Sequence, residues 1–115
     1  MHKNKHGRKF HRKRDQRRAL LTSLTRALIL HEKITTTEAK AKELQTHIEP
    51  IITKSKSNTV AELRVLARSF DDQTSKKLIR DIGSRYSGRK GGYTRIIKRN
   101  PRRTDSAKIA TIEFV

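Results

Sequence analysis

Of the leucines, isoleucines, valines and phenylalanines in this chain, only Phe10 lies ahead of Ala19. From about Asp15 onward the apolar positions recur on a helical period. Leu20, Leu21, Leu24, Ala27, Leu28 and His31 share the three-and-four spacing that predicts a first helix with one inward stripe. The run Lys33-Ile34-Thr35-Thr36-Thr37 breaks that period, and its consecutive β-branched residues favour a short strand. Thr36 or Thr37 can then cap a second helix with Glu38 in its first turn, where a carboxylate suits the helix dipole. Ala41, Leu44, Ile48, Ile51 and Ile52 form the inner stripe of that helix. Pro50 falls inside it, removes one backbone hydrogen bond, and predicts a kink over residues 46–51.

Residues 55–58 read as a break. Asn58 or Thr59 can cap a third helix with Val60, Leu63, Leu66, Ala67 and Phe70 facing inward. Asp71 or Asp72 can cap a fourth, shorter one carrying Leu78, Ile79 and Ile82, with Gly83 ending it. A glycine-rich segment, 84–92, leads into two predicted strands, 93–99 and 107–115, joined by the turn-rich Asn100-Pro101-Arg102-Arg103-Thr104-Asp105-Ser106. Ala110, Ile112 and Phe114 share one face of the last strand, and Ile109 and Val115 the other. The order helix, strand, three helices, two strands predicts a two-layer α+β domain: a small mixed sheet covered by helices, with a basic N-terminal extension. The chain shows no internal repeat and no coiled-coil heptads.

Charge changes this picture more than composition does. The chain has 115 residues, 29 Lys and Arg against 11 Asp and Glu, and a formal net charge of +18. That length suits one domain, here expected over residues 15–115 with residues 1–14 as a basic arm. The charge is uneven: net +8 over residues 1–18, +4 over 19–87 and +6 over 88–115. Two basic zones bracket a nearly balanced middle, an arrangement that calls for a polyanionic partner. In the first helix's opening turn, Arg12, Lys13, Arg14, Arg17 and Arg18 oppose the helix dipole. Helix stability alone would not choose them, so an external anion is implied there. There is no cysteine, which excludes a disulfide scaffold and thiolate zinc. No apolar run approaches the roughly 20 residues of a membrane span. The start lacks the apolar stretch of a signal peptide. The chain is expected in the cytoplasm.

Catalytic chemistry finds no foothold. Gly88, Gly91 and Gly92 match neither a P-loop nor a dinucleotide fingerprint. No local Ser-His-Asp set appears, and the acids mostly sit at helix starts or in helical pairs such as Glu38–Lys42. His2, His6 and His11 lie close in sequence, but on an arm without fixed geometry they suit phosphate or base contacts better than metal. No metal and no cofactor is expected. The candidate binding residues are Lys3, Lys5, His6, Arg8 and Lys9 on the arm, then Arg12, Lys13, Arg14, Arg17 and Arg18. The second zone supplies Arg85, Arg89, Lys90, Gly91, Gly92, Tyr93, Arg95, Lys98, Arg99, Arg102 and Arg103. Arginine offers forked phosphate contacts, tyrosine can stack or donate a hydrogen bond, and glycine lets backbone approach a partner. Tyr86 and Tyr93, the only tyrosines, have core positions as the alternative. Aromatic residues are 4% of the chain, too few for a single-strand stacking platform. The backbone of folded RNA suits this composition better. Neutralising about ten phosphates would give a salt slope near −9 on a duplex.

The segments HGRKFHRKRDQRRALLTSL, HEKITTTEAKAKELQTHIEPIIT, RYSGRKGGYTRIIK and KIATIEFV, in that order, resemble the family of bacterial large-subunit ribosomal protein seventeen over essentially the whole chain. The resemblance implies a compact α/β body with a basic N-terminal extension. It also implies a structural role in the large subunit, in contact with 23S rRNA near the outer end of the peptide exit tunnel. Ribosomal proteins thirty-two and twenty-two are implied neighbours; a cofactor, a membrane and a free homo-oligomer are not. Phe10-His11, Thr22-Ser23 and Ser84 depart from the family's usual residues. A DNA-packaging or regulatory protein would share the electrostatics, but no recognition helix between short turns and no dimer seam is evident.

Overall fold

The computed structural model describes residues 13–57 and 59–115. Helix α1 spans Arg14–His31, strand β1 Lys33–Thr37 and helix α2 Glu38–Ser55. Helices α3 (Val60–Ala67) and α4 (Asp72–Lys77) follow, α4 runs into a π-helical turn, Leu78–Gly83, and strands β2 (Thr94–Arg99) and β3 (Ile109–Phe114) complete the chain. The α+β architecture and its element order are as the sequence predicts. The sheet is not mixed, however. Its order is β1-β3-β2, and β3 pairs antiparallel with both neighbours. The chain's last strand inserts between the other two, so β1 and β2 run the same way but never touch.

Strand register explains which side of the sheet is buried. Ile34, Ile112 and Ile96 align in one row, and Thr36, Ala110 and Lys98 in the next. Ala110 and Ile112 are fully buried there, and Phe114 nearly so. Helix α2 covers this face with Ala41, Leu44, Ile48 and Ile52, all fully buried. Pro50 lies exposed within α2, which runs on past it to Ser55. Thr37 caps the helix, its hydroxyl accepting from the Lys40 N–H. Thr59 does the same for α3 through the Glu62 N–H. The opposite sheet face is less apolar than expected. Thr111 is buried on it beside Ile109, its hydroxyl bonded to Thr35 at 2.9 Å and accepting from Arg99 Nε at 3.0 Å.

Three helical expectations shift. On α1, Thr25 and Ile29 are buried and His31 is exposed, a stripe rotated from the predicted one. The Thr25 hydroxyl escapes the cost of burial by donating to the Leu21 carbonyl at 2.7 Å. On α3, Val60 and Ala67 face outward while Leu66 turns in, as does Phe70 just beyond the helix. Only one narrow face of so short a helix reaches the body.

Gly83 does not end the fourth helix; helical backbone continues through Ser84 and Arg85. The π turn adds a residue to the coil and lets Leu78, Ile79, Ile82 and Gly83 all be buried. Glycine is required for close approach. A Cβ there would stand 2.7 Å from the Ser55 carbonyl oxygen on α2.

Gly83→Ala is therefore expected to lower stability by about 2 kcal/mol through overpacking. In an exposed helix the same change would raise it by about 1 kcal/mol. Urea unfolding measures the difference, and an unchanged or higher midpoint would contradict the contact.

Candidate nucleic-acid interface

The first basic zone is the start of α1. Lys13 is its N-cap residue and supplies no side-chain cap, unlike Thr37 and Thr59. Lys13, Arg14 and Arg18 are exposed and Arg17 is half-buried, with Asp15 the acid of the first turn. The far end of α1 turns into the sheet at Glu32, a residue with φ of 66° whose N–H bonds back to Leu28 O. The cationic end thus lies roughly 25 Å along the helix from that corner. Lys3, Lys5, His6, Arg8, Lys9 and Arg12 lie outside the described residues, as do His2 and His11.

The second zone is built on residues 84–106. Tyr86 and Tyr93 are buried, with ring centroids 5.4 Å apart, and Tyr86 packs 6.3 Å from Phe114. Tyr93 is fully buried and its hydroxyl is shared among Thr53 and the Arg89 carbonyl. It is a core residue, and its ring is not available for stacking on a partner. Gly92 has φ of +63°, so its glycine serves a left-handed turn. A Cβ on Gly88 or Gly91 would meet nothing within 4 Å, so both remain open to close approach from outside.

The cations of this zone divide by what holds them. Arg85 bonds Glu32 at 2.8 Å and Asp81 at 3.1 Å. It is a structural tie between the α1–β1 corner and the helical end. Arg95 is held by Glu113 at 2.7 Å, and Arg102 by Asp105 at 3.3 Å. Arg99 donates to Thr111, and Arg89 Nε to the Gly91 carbonyl at 3.1 Å. Lys90, Lys98 and Arg103 are exposed and form no ion pair among the described residues. Part of the middle's charge is held internally: Arg26–Asp71, Lys42–Glu38, Lys76–Asp72 and Lys77–Glu32 all lie within 3.2 Å. By sequence the excess of cations over acids is largest at the two ends, +8 over residues 1–18 and +6 over 88–115.

Sequence reasoning missed the residues of α2 and its C-cap that hold this zone. Glu49, Gln45 and Lys56 all reach residues 89–94. Their partners lie 33 to 49 residues away, and no local pattern marks them. Among the described residues no three His, Asp or Glu gather as a metal site. No described helix is long and apolar enough to cross a membrane.

The fold and this surface define a small, strongly basic α+β protein whose cations outnumber its internal partners at both ends of the chain. Residues 20–115 match the sequence model of the family described as Ribosomal protein L17. A large ribosomal subunit protein bL17 from Natranaerobius thermophilus is 46% identical over 108 residues, covering 93% of this chain and 96% of the relative. One of the same description from Caldanaerobacter subterraneus subsp. tengcongensis is 48% identical over 109 residues, covering 94% and 97%. Another, from Chlorobium phaeobacteroides, is 44% identical over 116 residues, covering 100% of this chain and 70% of the relative. The chain belongs to the ribosomal protein L17 family. It is accordingly a structural, non-enzymatic constituent of the ribosome, which in bacteria lies in the cytoplasm.

The Glu32 corner has a pH signature. The Arg85 guanidinium, hydrogen-bonded to Glu32, holds its carboxyl below the ordinary value against the opposing effect of partial burial, and Lys77 adds to the same side. A carboxylate depressed in the folded state contributes stability above its unfolded pKa and loses it as pH falls through the folded one. Glu32 is partly solvated, so screening limits the contribution to about 0.5–1 kcal/mol. Glu32→Gln should cost that much at neutral pH and close to nothing at about pH 3. Thermal unfolding of both proteins across that range is the check, and a gap that stays constant with pH would refute the pairing.

Proposed function

We propose that the protein binds 23S rRNA as a constituent of the large ribosomal subunit, through two cationic zones on one domain. The first joins the arm, residues 1–14, to the opening of α1. The second runs from Arg89 through Lys90, Arg95, Lys98 and Arg99 to Arg102 and Arg103. The observation that carries the reading is the start of α1. An 18-residue helix begins there with no side-chain cap from its N-cap residue among the described residues, and with the exposed Lys13, Arg14 and Arg18 at its start. A phosphate backbone relieves both defects, since it supplies the acceptor and the opposing charge. Burial of Tyr93 agrees with recognition through phosphate and shape rather than base stacking.

The finer parts of the reading rest on family membership. They are a position near the outer end of the peptide exit tunnel, and ribosomal proteins thirty-two and twenty-two as neighbours. The relatives' description as large ribosomal subunit proteins supports the subunit. A role in subunit assembly and translation follows from a protein that screens rRNA phosphates where strands converge.

Each phosphate contact contributes about 0.9 to the salt slope on a duplex. Replacing Lys13, Arg14 and Arg18 together with Gln should therefore lower the slope of 23S rRNA binding by about 2 to 3, with the fold intact by circular dichroism. A slope equal to that of the unaltered protein would remove the start of α1 from the interface.

A further inference from the structure

One carboxylate stands in the middle of the second cationic zone. Glu49 Oε1 accepts from the Gly92 N–H at 2.9 Å. Its Oε2 accepts from the Tyr93 N–H at 3.1 Å and the Thr94 hydroxyl at 3.3 Å. One helical turn earlier on α2, Gln45 Nε2 donates to the Thr94 carbonyl at 3.1 Å and to its hydroxyl at 3.2 Å. One turn later, the Thr53 hydroxyl bonds that of Tyr93 at 3.1 Å. Gln45, Glu49 and Thr53 thus form a ladder at i, i+4 spacing that grips residues 92–94. On the other side of the loop, Lys56 lies 4.7 Å from the Tyr93 ring centroid and its Nζ donates to the Arg89 carbonyl. Residues 89 and 92–94 are tied to α2, while Lys90 and Gly91 stand out exposed between them.

For a surface that meets a polyanion, this acid is in the wrong place by charge alone. It repels the partner and offsets a nearby cation. Its geometry gives the compensating gain. Two backbone N–H groups and a hydroxyl converge on one carboxylate, which makes each bond charge-assisted and stronger than a neutral one. They hold Gly92 in its left-handed turn, and that turn sets the direction in which residues 89–91 leave the body. We infer that Glu49 is the positioning residue of this loop, fixing the backbone so that Arg89 and Lys90 are presented to phosphate before binding. The inference rests on the rRNA-binding reading and adds to it the residue that pre-organises the loop. Pre-organisation removes an ordering cost that binding would otherwise carry.

The two effects of Glu49 on affinity have opposite signs, and this makes the inference testable. Coulomb repulsion alone predicts that Glu49→Gln strengthens RNA binding. Positioning predicts that it weakens binding, about fivefold at fixed salt, the scale of ordering one or two long side chains. The measurement is binding of the full chain to 23S rRNA stripped of protein, for Glu49→Gln, for Arg89→Gln with Lys90→Gln, and for all three together. Positioning requires that Glu49→Gln costs little further once Arg89 and Lys90 are gone, because it acts through them. Amide hydrogen exchange should quicken at Gly92 and Tyr93 while β3 is unchanged. Equal or tighter binding by Glu49→Gln overturns the inference, as does a loss that adds in full to that of the double variant. If Arg89→Gln with Lys90→Gln leaves affinity and salt slope untouched, the loop is not an rRNA contact, and the underlying reading fails at this zone. Gly92→Ala provides a second route should Glu49→Gln not fold. Its Cβ meets nothing within 4 Å, so it disturbs only the turn at φ +63°. It should lose affinity to a similar extent, and full affinity there would overturn the positioning argument.

Discussion

The packing of α2 against the inner face of the sheet is the contact on which the rest of this domain depends. Its buried stripe, Ala41, Leu44, Ile48, Ile52 and Ser55, meets the central strand β3 on one side and the π turn on the other. Ser55 sits where Gly83 passes close enough to exclude a side chain. Another flank of the same helix carries Gln45, Glu49 and Thr53, with the C-cap residue Lys56, to the cationic loop. One helix therefore both anchors the core and sets the shape of the second basic zone.

Charge is the other organising constraint. A net charge of +18 on 115 residues disfavours compaction of the free chain through self-repulsion. The fold answers in part by pairing: Asp71, Glu38 and Asp72 are matched to Arg26, Lys42 and Lys76, and Arg85 is drawn into a bridge between Glu32 and Asp81. Among the described residues near the C-terminus, Lys90, Lys98 and Arg103 form no ion pair and stand exposed. Such pairs are individually weak at a solvated surface. Their effect is to hold particular side chains, Arg85 above all, in the body of the fold.

Membership of the ribosomal protein L17 family accounts for the absence of a catalytic constellation in the sequence, since a structural ribosomal protein needs none. It also gives sense to features that would be liabilities in a free enzyme. A helix start that carries cations at Lys13, Arg14 and Arg18 is one, and a carboxylate inside a basic patch is another. Both make sense if the domain is shaped for contact with phosphate.

Local pattern alone was enough for the elements and their order. Periodicity marked α1 and α2, the run of threonines marked β1, and alternation marked Ala110, Ile112 and Phe114 as the inner face of β3, because these signals depend on neighbours a few residues apart. The capping role of Thr37 was legible for the same reason, as was the division of charge into two zones. Tertiary structure decided what depends on distant partners. The strand order β1-β3-β2 made the sheet antiparallel, and the contact with Ser55 made Gly83 a packing residue instead of a helix end. Partners likewise sorted the candidate binding residues, turning Arg85 into an internal tie and Tyr93 into core, while Lys90, Lys98 and Arg103 stayed exposed. The grip of Glu49 on Gly92 spans 43 residues. No local pattern encodes such a bond, because it exists only once α2 and the loop have been brought together by the hydrophobic face between them.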